Sequence, residues 1–279
     1  VAVVTEPYKV EIKEANKPKA NSKDVLIKVK TAGICGSDLH LFKGTHAFRK
    51  LPAILGHEMA GEVIEVGNEV TKIKIGDRVT VEPQIGCGEC EQCRQGFVNL
   101  CTNKIVPGTP KWGGTFADYF VAPENTVYKL GENVSYELGT LIEPLAVAVH
   151  AVRRISSLNN NSRKSMAILG SGTIGLLSLV VAKKLGFDFV MNTDTVEFNL
   201  DKAKKYGSDV TANPLKEDIL KLAKDVTDNK GFDVAIVAAG SKNILDQASS
   251  IVKRRGQIVL IAMITQEIPF YSYLVLNYF

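Results

Sequence analysis

The run Gly170-Ser171-Gly172-Thr173-Ile174-Gly175 restricts the fold more than any other stretch of the chain. It has the form G-x-G-x-x-G, and its meaning comes from context, because glycine-rich turns are common. An apolar strand is expected at 165–169 just before it, and a helical pattern runs through 173–185 just after it. In such a strand–turn–helix unit the first glycine permits the tight turn and the second lets a pyrophosphate approach the backbone. The third lets helix pack on strand. The anion would rest on the helix N-terminus, where unpaired N–H groups and the helix dipole favour negative charge. Asp194 closes the next strand, at the distance where an acid grips the adenosine ribose; its charge would repel a 2′-phosphate and favour NAD over NADP. Without a dinucleotide the same residues would read as a βα turn, with Asp194 a helix cap.

The surrounding pattern continues this unit. Strands are expected at 189–193, 234–238 and 257–262, and helices at 198–206, 214–226 and 243–253. Alternating strands and helices predict a doubly wound, mainly parallel sheet. The first half reads differently. Short alternating strands at 25–30, 60–66 and 78–81, punctuated by glycines, predict a small irregular β domain. A helical stretch at 138–155 connects the halves, so the expected domains are 1–145 and 146–279. A chain of 279 residues has room for both.

The net charge of +4 is spread over scattered lysines and gives no footprint for nucleic acid or for a membrane surface. No apolar run in the sequence is long enough to span a bilayer, and no signal-peptide pattern opens it. The expected compartment is the cytoplasm, where thiols stay reduced. Val1 reads as the middle of a strand, and 269–279 is apolar and aromatic with no polar tail. The expectation is a short N-terminal trim, and a far end that either packs in an interface or continues in a longer chain.

Five cysteines divide into two groups. Cys87, Cys90, Cys93 and Cys101 form C-x2-C-x2-C-x7-C, the spacing of a closed tetrahedral zinc site. Such a site leaves no position for substrate, so its expected role is to stabilise a loop. Cys35 stands apart, and a lone cysteine is more often a small buried hydrophobe. His57 and Glu58 taken singly read as a buried histidine and a surface acid.

Taken together, the residues Gly33-Ile34-Cys35-Gly36-Ser37-Asp38-Leu39-His40, Gly56-His57-Glu58, Gly76-Asp77-Arg78-Val79, the four-cysteine lobe, Glu143-Pro144 and the glycine run follow a familiar order. The chain resembles the zinc-containing medium-chain alcohol and polyol dehydrogenases over essentially its whole length, and within them the sorbitol dehydrogenases. The resemblance implies an α/β fold of two parts, a β-rich GroES-like catalytic domain and a Rossmann domain, with a cleft between them for zinc and nicotinamide. It implies that Cys35 and His57 are zinc ligands and Glu58 a third, permanent or exchanging with water. Glu143 either ligates or bonds the zinc-bound water. Ser37 would accept the alcohol proton, His40 would relay it to solvent, and Asp38 would orient a ligand. Zinc lowers the pKa of a bound hydroxyl, so an alcohol can lose its proton near neutral pH and pass hydride to NAD. Two zincs and one NAD per chain are expected, in a homodimer or homotetramer. His46 and His150 are read as structural or solvent-exposed.

The chain departs from the family in three places. Asn199 stands where an arginine usually lies against the adenine, and Met263-Ile264 stands where a glycine near the nicotinamide is common. The last Rossmann strand and the returning segment are not found in the sequence, so the second domain is expected to be incomplete. The competing readings are a butanediol or threonine dehydrogenase and, in another class, a non-catalytic protein that binds NAD and zinc.

Overall fold

The computed structural model of the chain describes residues 1–46, 49–155, 164–264 and 267. Two compact units emerge, Val1–Glu143 and Pro144–Phe279.

The first unit carries β1 (Ala2–Glu6), β2 (Lys9–Ile12), β3 (Asp24–Gly33), α1 (Gly36–Phe42), β4 (Ala53–Ile54), β5 (Glu58–Val66), β6 (Arg78–Val81), α2 (Glu91–Arg94), β7 (Tyr119–Pro123), β8 (Val127–Lys129) and α3 (Tyr136–Thr140). Five of these strands form an antiparallel sheet in the order β7-β3-β5-β6-β8, and β2-β1-β4 form a smaller one. The core of the larger sheet gathers Val25, Ile27, Met59, Val63, Val79 and Phe120. Trp112 stacks on Phe120 with ring centroids 5.4 Å apart and donates its indole N–H to the Val121 carbonyl at 2.8 Å. An amphipathic ring of this kind is buried only with its polar end satisfied.

The second unit has α4 (Ile142–Arg153) at its entrance, then β9 (Ser165–Leu169), α5 (Thr173–Lys184), β10 (Phe189–Thr193), α6 (Glu197–Lys205), β11 (Val210–Ala212), α7 (Ile219–Val226), β12 (Phe232–Val237), α8 (Ile244–Ile251) and β13 (Val252–Leu260). The strands form one parallel sheet in the order β11-β10-β9-β12-β13. The chain crosses from one side of β9 to the other, so the loop after β9 lies at the point where strand order reverses, the usual ligand position in such sheets. Met166, Ile168, Val190, Val234 and Ile236 fill one face against α5, and Leu169, Met191, Ala235 and Val237 fill the other against α7 and α8.

Three segments differ from the sequence reading. The expected connecting helix is two helices, because Pro144 lacks an N–H and is tolerated only in the first turn of a new helix. The helix expected to start at Pro214 begins at Ile219, where Asp218 Oδ1 accepts from the Lys221 N–H at 3.0 Å. The helix α8 ends at Ile251, and β13 begins at once; its register against β12 slips between Phe232 and Val234, with Arg255 at φ 61°. The apolar stretch 269–279 lies outside the described residues. No helix among the described residues is long and apolar enough to cross a membrane.

Candidate metal centre and nucleotide loop

The strand β3 ends at Gly33 and β5 begins at Glu58, and these two residues are paired across the antiparallel ladder. That register brings Cys35, just past the end of β3, beside His57 and Glu58, which lie more than twenty positions further along the chain. Ligand atoms from Cys35, His57 and Glu58 all lie within 4.8 Å of one another. Close approach depends on Gly33, since a Cβ there would stand 2.3 Å from Glu58 Oε2. Thr31 Oγ1 lies 2.7 Å from Thr140 Oγ1 and 2.9 Å from the Tyr136 carbonyl, fastening α3 to β3.

Asp38 organises the cluster. It is 2% exposed, and its two oxygens accept from the Cys35 N–H at 3.1 Å and the Gly56 N–H at 3.2 Å. His57 Nδ1 lies 3.5 Å from Asp38 Oδ1, close enough for charge attraction but without hydrogen-bond geometry. Burial alone would raise the Asp38 pKa, but His57 and the two N–H groups outweigh it and hold the carboxyl below its ordinary value. Burial likewise opposes charge on His57, and Asp38 and Cys35 overcome it, pushing the imidazole up to about 10. Glu58 and Glu143 are both raised, first by burial. A cation at this point would satisfy the carboxylate, thiol and imidazole together, and thiolate sulfur, imidazole nitrogen and carboxylate oxygen are all zinc donors. The donors therefore fit zinc.

Glu143 lies outside the 4.8 Å group, although it feels the charges of His57, Glu58 and Asp38. Ser37 and His40 are half-buried one turn apart on α1, and His40 Nδ1 lies 3.3 Å from Thr45 Oγ1. Arg49, which has no periodic pattern to mark it, is half-buried, and its charge acts on Asp38 and Cys35. His46 is half-buried and His150 exposed.

The other four cysteines are also free thiols, and their sulfurs lie within 4.8 Å of one another. Cys87 Sγ and Cys93 Sγ are 4.0 Å apart. Sulfurs around a tetrahedral zinc at about 2.3 Å stand about 3.8 Å from each other, so the lobe is shaped for the ion. Backbone N–H groups of Glu89 and Cys90 bring the Cys87 thiol down to about 6. The Gly88 N–H favours the Cys93 thiolate too, but desolvation and three neighbouring thiols push that group up to about 11. Four thiols this close cannot all ionise without a cation among them.

In the second unit the glycine run forms the turn between β9 and α5. Gly170 has φ +106°, and Gly175 leaves room for the chain, since a Cβ on it would stand 1.9 Å from the Gly170 carbonyl oxygen. Gly172 caps α5 and faces open space, and Thr173 and Ile174 form the first turn. Asp194 Oδ2 accepts from the Ser171 N–H at 2.8 Å and from Asn199 Nδ2 at 3.2 Å, and Oδ1 accepts from the Val196 N–H at 2.9 Å. The acid is thus tied directly to the glycine turn.

An antiparallel β unit with a mixed-donor metal site, followed by a doubly wound unit with a nucleotide turn, defines a two-part metal-dependent dehydrogenase. Comparison with known proteins agrees. Residues 21–132 match the alcohol dehydrogenase GroES-like domain, and residues 173–278 match the zinc-binding dehydrogenase domain. The chain is 38% identical to sorbitol dehydrogenase of Bacillus subtilis (strain 168) over 273 residues, covering 96% of this chain and 76% of that protein. It is 38% identical to D-arabitol-phosphate dehydrogenase of Enterococcus avium, covering 88% and 70%, and 39% identical to L-threonine 3-dehydrogenase of Pyrococcus abyssi (strain GE5 / Orsay), covering 92% and 73%. Among solved structures, a zinc-binding dehydrogenase from Sinorhizobium meliloti 1021 bound to NADP superposes with a TM-score of 0.91 at 30% identity, covering 99% of this chain and 80% of that one. The 2R,3R-butanediol dehydrogenase from Bacillus subtilis gives 0.89 at 31%, covering 99% and 81%. The chain belongs to the zinc-containing medium-chain dehydrogenase family. It is an alcohol or polyol dehydrogenase of that family, with zinc and a nicotinamide as its cofactors.

Proposed function

We propose that the chain oxidises a secondary alcohol of the polyol class with NAD, and that Cys35, His57 and Glu58 hold the catalytic zinc. The observation that carries this reading is the convergence of three chemically different donors within 4.8 Å. A zinc held by these three donors would supply Lewis-acid polarisation of the alcohol. Asp38 sets its charge against the imidazole and fixes the backbone at Cys35 and Gly56. Ser37 takes the alcohol proton and His40 passes it toward solvent. Glu143, its pKa raised by burial, can hold a proton or take the place of Glu58.

Cys87, Cys90, Cys93 and Cys101 hold a second, structural zinc, making two per chain. Gly170, Gly172, Thr173, Ile174 and Gly175 cradle the pyrophosphate. Asp194 sets the preference for NAD, supported by its hydrogen bond to the turn itself. The division into a catalytic part at 1–145 and a nucleotide part at 146–279 is supported by two units meeting between Glu143 and Pro144. Five free thiols suit a reducing compartment such as the cytoplasm. A homodimer or homotetramer is supported by β13, an edge strand among the described residues, where Ile258 and Leu260 are exposed.

The test is a panel of sorbitol, xylitol, 2,3-butanediol and L-threonine, each with NAD and NADP, read by absorbance of the reduced nicotinamide. Turnover of at least one polyol with NAD is expected, and Asp194→Ala narrows the preference over NADP by about tenfold or more. Turnover of only butanediol or threonine replaces the polyol assignment. Silence on every member of the panel, with both zincs bound, overturns the reading in favour of a non-catalytic binding protein.

A further inference from the structure

Arg49 lies in the segment between α1 and β4 and has no part in the site as described above. Its backbone N–H donates to His46 Nδ1 at 3.1 Å. Its guanidinium reaches Gly108, where Nη1 would stand 3.5 Å from a Cβ on that residue; the same Cβ would be 3.4 Å from the carbonyl of Ile54, three positions before His57. Half-buried in this place, the guanidinium makes no ion pair and no hydrogen bond among the described residues. Its nearest acid by charge is Asp38, but both Asp38 oxygens already accept from backbone N–H groups and one of them faces His57. Among the described residues the guanidinium therefore has no ion-pair partner, and its charge is felt at Asp38 and Cys35. Such a charge is costly unless something supplies the opposite one. Burial lowers the Arg49 pKa from its ordinary value, in keeping with that cost.

A planar guanidinium offers two parallel N–H groups that match two oxygens of a phosphate or carboxylate. We propose that Arg49 receives an anionic oxygen group carried by the substrate, so that the preferred alcohol is a phosphorylated polyol or a hydroxy acid rather than a neutral polyol. The proposal rests on the dehydrogenase reading above and narrows its substrate class. Two relatives are named for substrates of these kinds, a polyol phosphate and an amino acid.

The experiment uses the zinc-loaded protein and two matched pairs: D-arabitol phosphate against D-arabitol, and 3-hydroxybutyrate against 3-hydroxybutanamide. Calorimetric binding and NAD-linked turnover are measured for the native chain, Arg49→Ala and Arg49→Lys, with zinc content checked in each. In the native chain the anionic member of one pair is expected to bind and react at least about tenfold better than its neutral partner, as a charged hydrogen bond permits. The ratio falls to near one in Arg49→Ala and returns in part in Arg49→Lys, which keeps the charge but lacks the fork. The pair that responds names the group as phosphate or carboxylate. If neutral substrates turn over and neither pair shows a preference, the anion site is wrong and the dehydrogenase reading stands. If Arg49→Ala weakens both members equally or strips zinc, Arg49 is a counter-charge to Cys35 and the proposal fails. Arg49-dependent binding of an anion with no turnover of any alcohol would instead retain the anion site and remove the dehydrogenase reading.

Discussion

Asp38 shows how one side chain can organise a candidate metal site from behind. It joins two segments eighteen positions apart by accepting from the Gly56 N–H, while its other oxygen accepts from Cys35. Asp38→Asn keeps the shape but loses the charge facing His57, and the amide must turn a donor toward one of those N–H groups. Zinc affinity at the Cys35 site is expected to fall by about 10- to 100-fold, with the four-cysteine lobe unchanged, as read by chelator competition. Equal retention of both ions in the variant would remove Asp38 from this role. Cys35, His57 and Glu58 were legible as a set because the spaced motifs of the family mark them, though none was readable singly. Arg49 was not legible. It lies in an irregular segment where neither period nor motif constrains it, and only folding reveals that its charge lacks an ion-pair partner among the described residues. Asn199 was visible as a departure, but its bond to Asp194 depends on the turn between β10 and α6.

At the scale of elements, long periodic segments were readable and short ones were not. The boundaries of β9 and β10 coincide with the stretches expected from apolar runs. The strands β4 and β11, with two and three residues, are too short to show an alternation, and tertiary pairing alone defines them. Asp233 illustrates pairing that sequence cannot show. From β12 it accepts from the Ser165 N–H at 2.8 Å and Oγ at 2.9 Å on β9, and it forms an ion pair with Lys253. Burial would raise its pKa, but Lys253 and Ser165 outweigh that and lower it. A folded pKa below the unfolded one stabilises the fold above the unfolded value and loses that contribution as pH falls through the folded value. Asp233→Asn is expected to cost about 1–3 kcal/mol near neutral pH. In thermal scans its deficit should hold steady down to about pH 5 and shrink only below the ordinary value of 3.8. A deficit that does not change with pH would assign the effect to packing rather than charge.

For the whole molecule, the alternation of β and α elements made the second unit readable, and the glycine-punctuated strands made the first readable as β-rich. Both candidate metal sites fall within Val1–Glu143, and the nucleotide turn falls within Pro144–Phe279. One candidate site has three unlike donors and the other four like ones, so under the proposed reading zinc would do different work in each. The central claim is this division, one zinc for chemistry and one for stability. Its most direct measurement is zinc content per chain, taken with NAD-linked turnover and melting temperature on the native chain, Cys35→Ser and Cys93→Ser. The account expects two zincs and activity in the native chain. Cys35→Ser should lose one zinc and all turnover with little change in melting, whereas Cys93→Ser should lose one zinc and melt lower. A native chain with a single zinc, or a Cys35→Ser variant that keeps both zincs and its turnover, would contradict it.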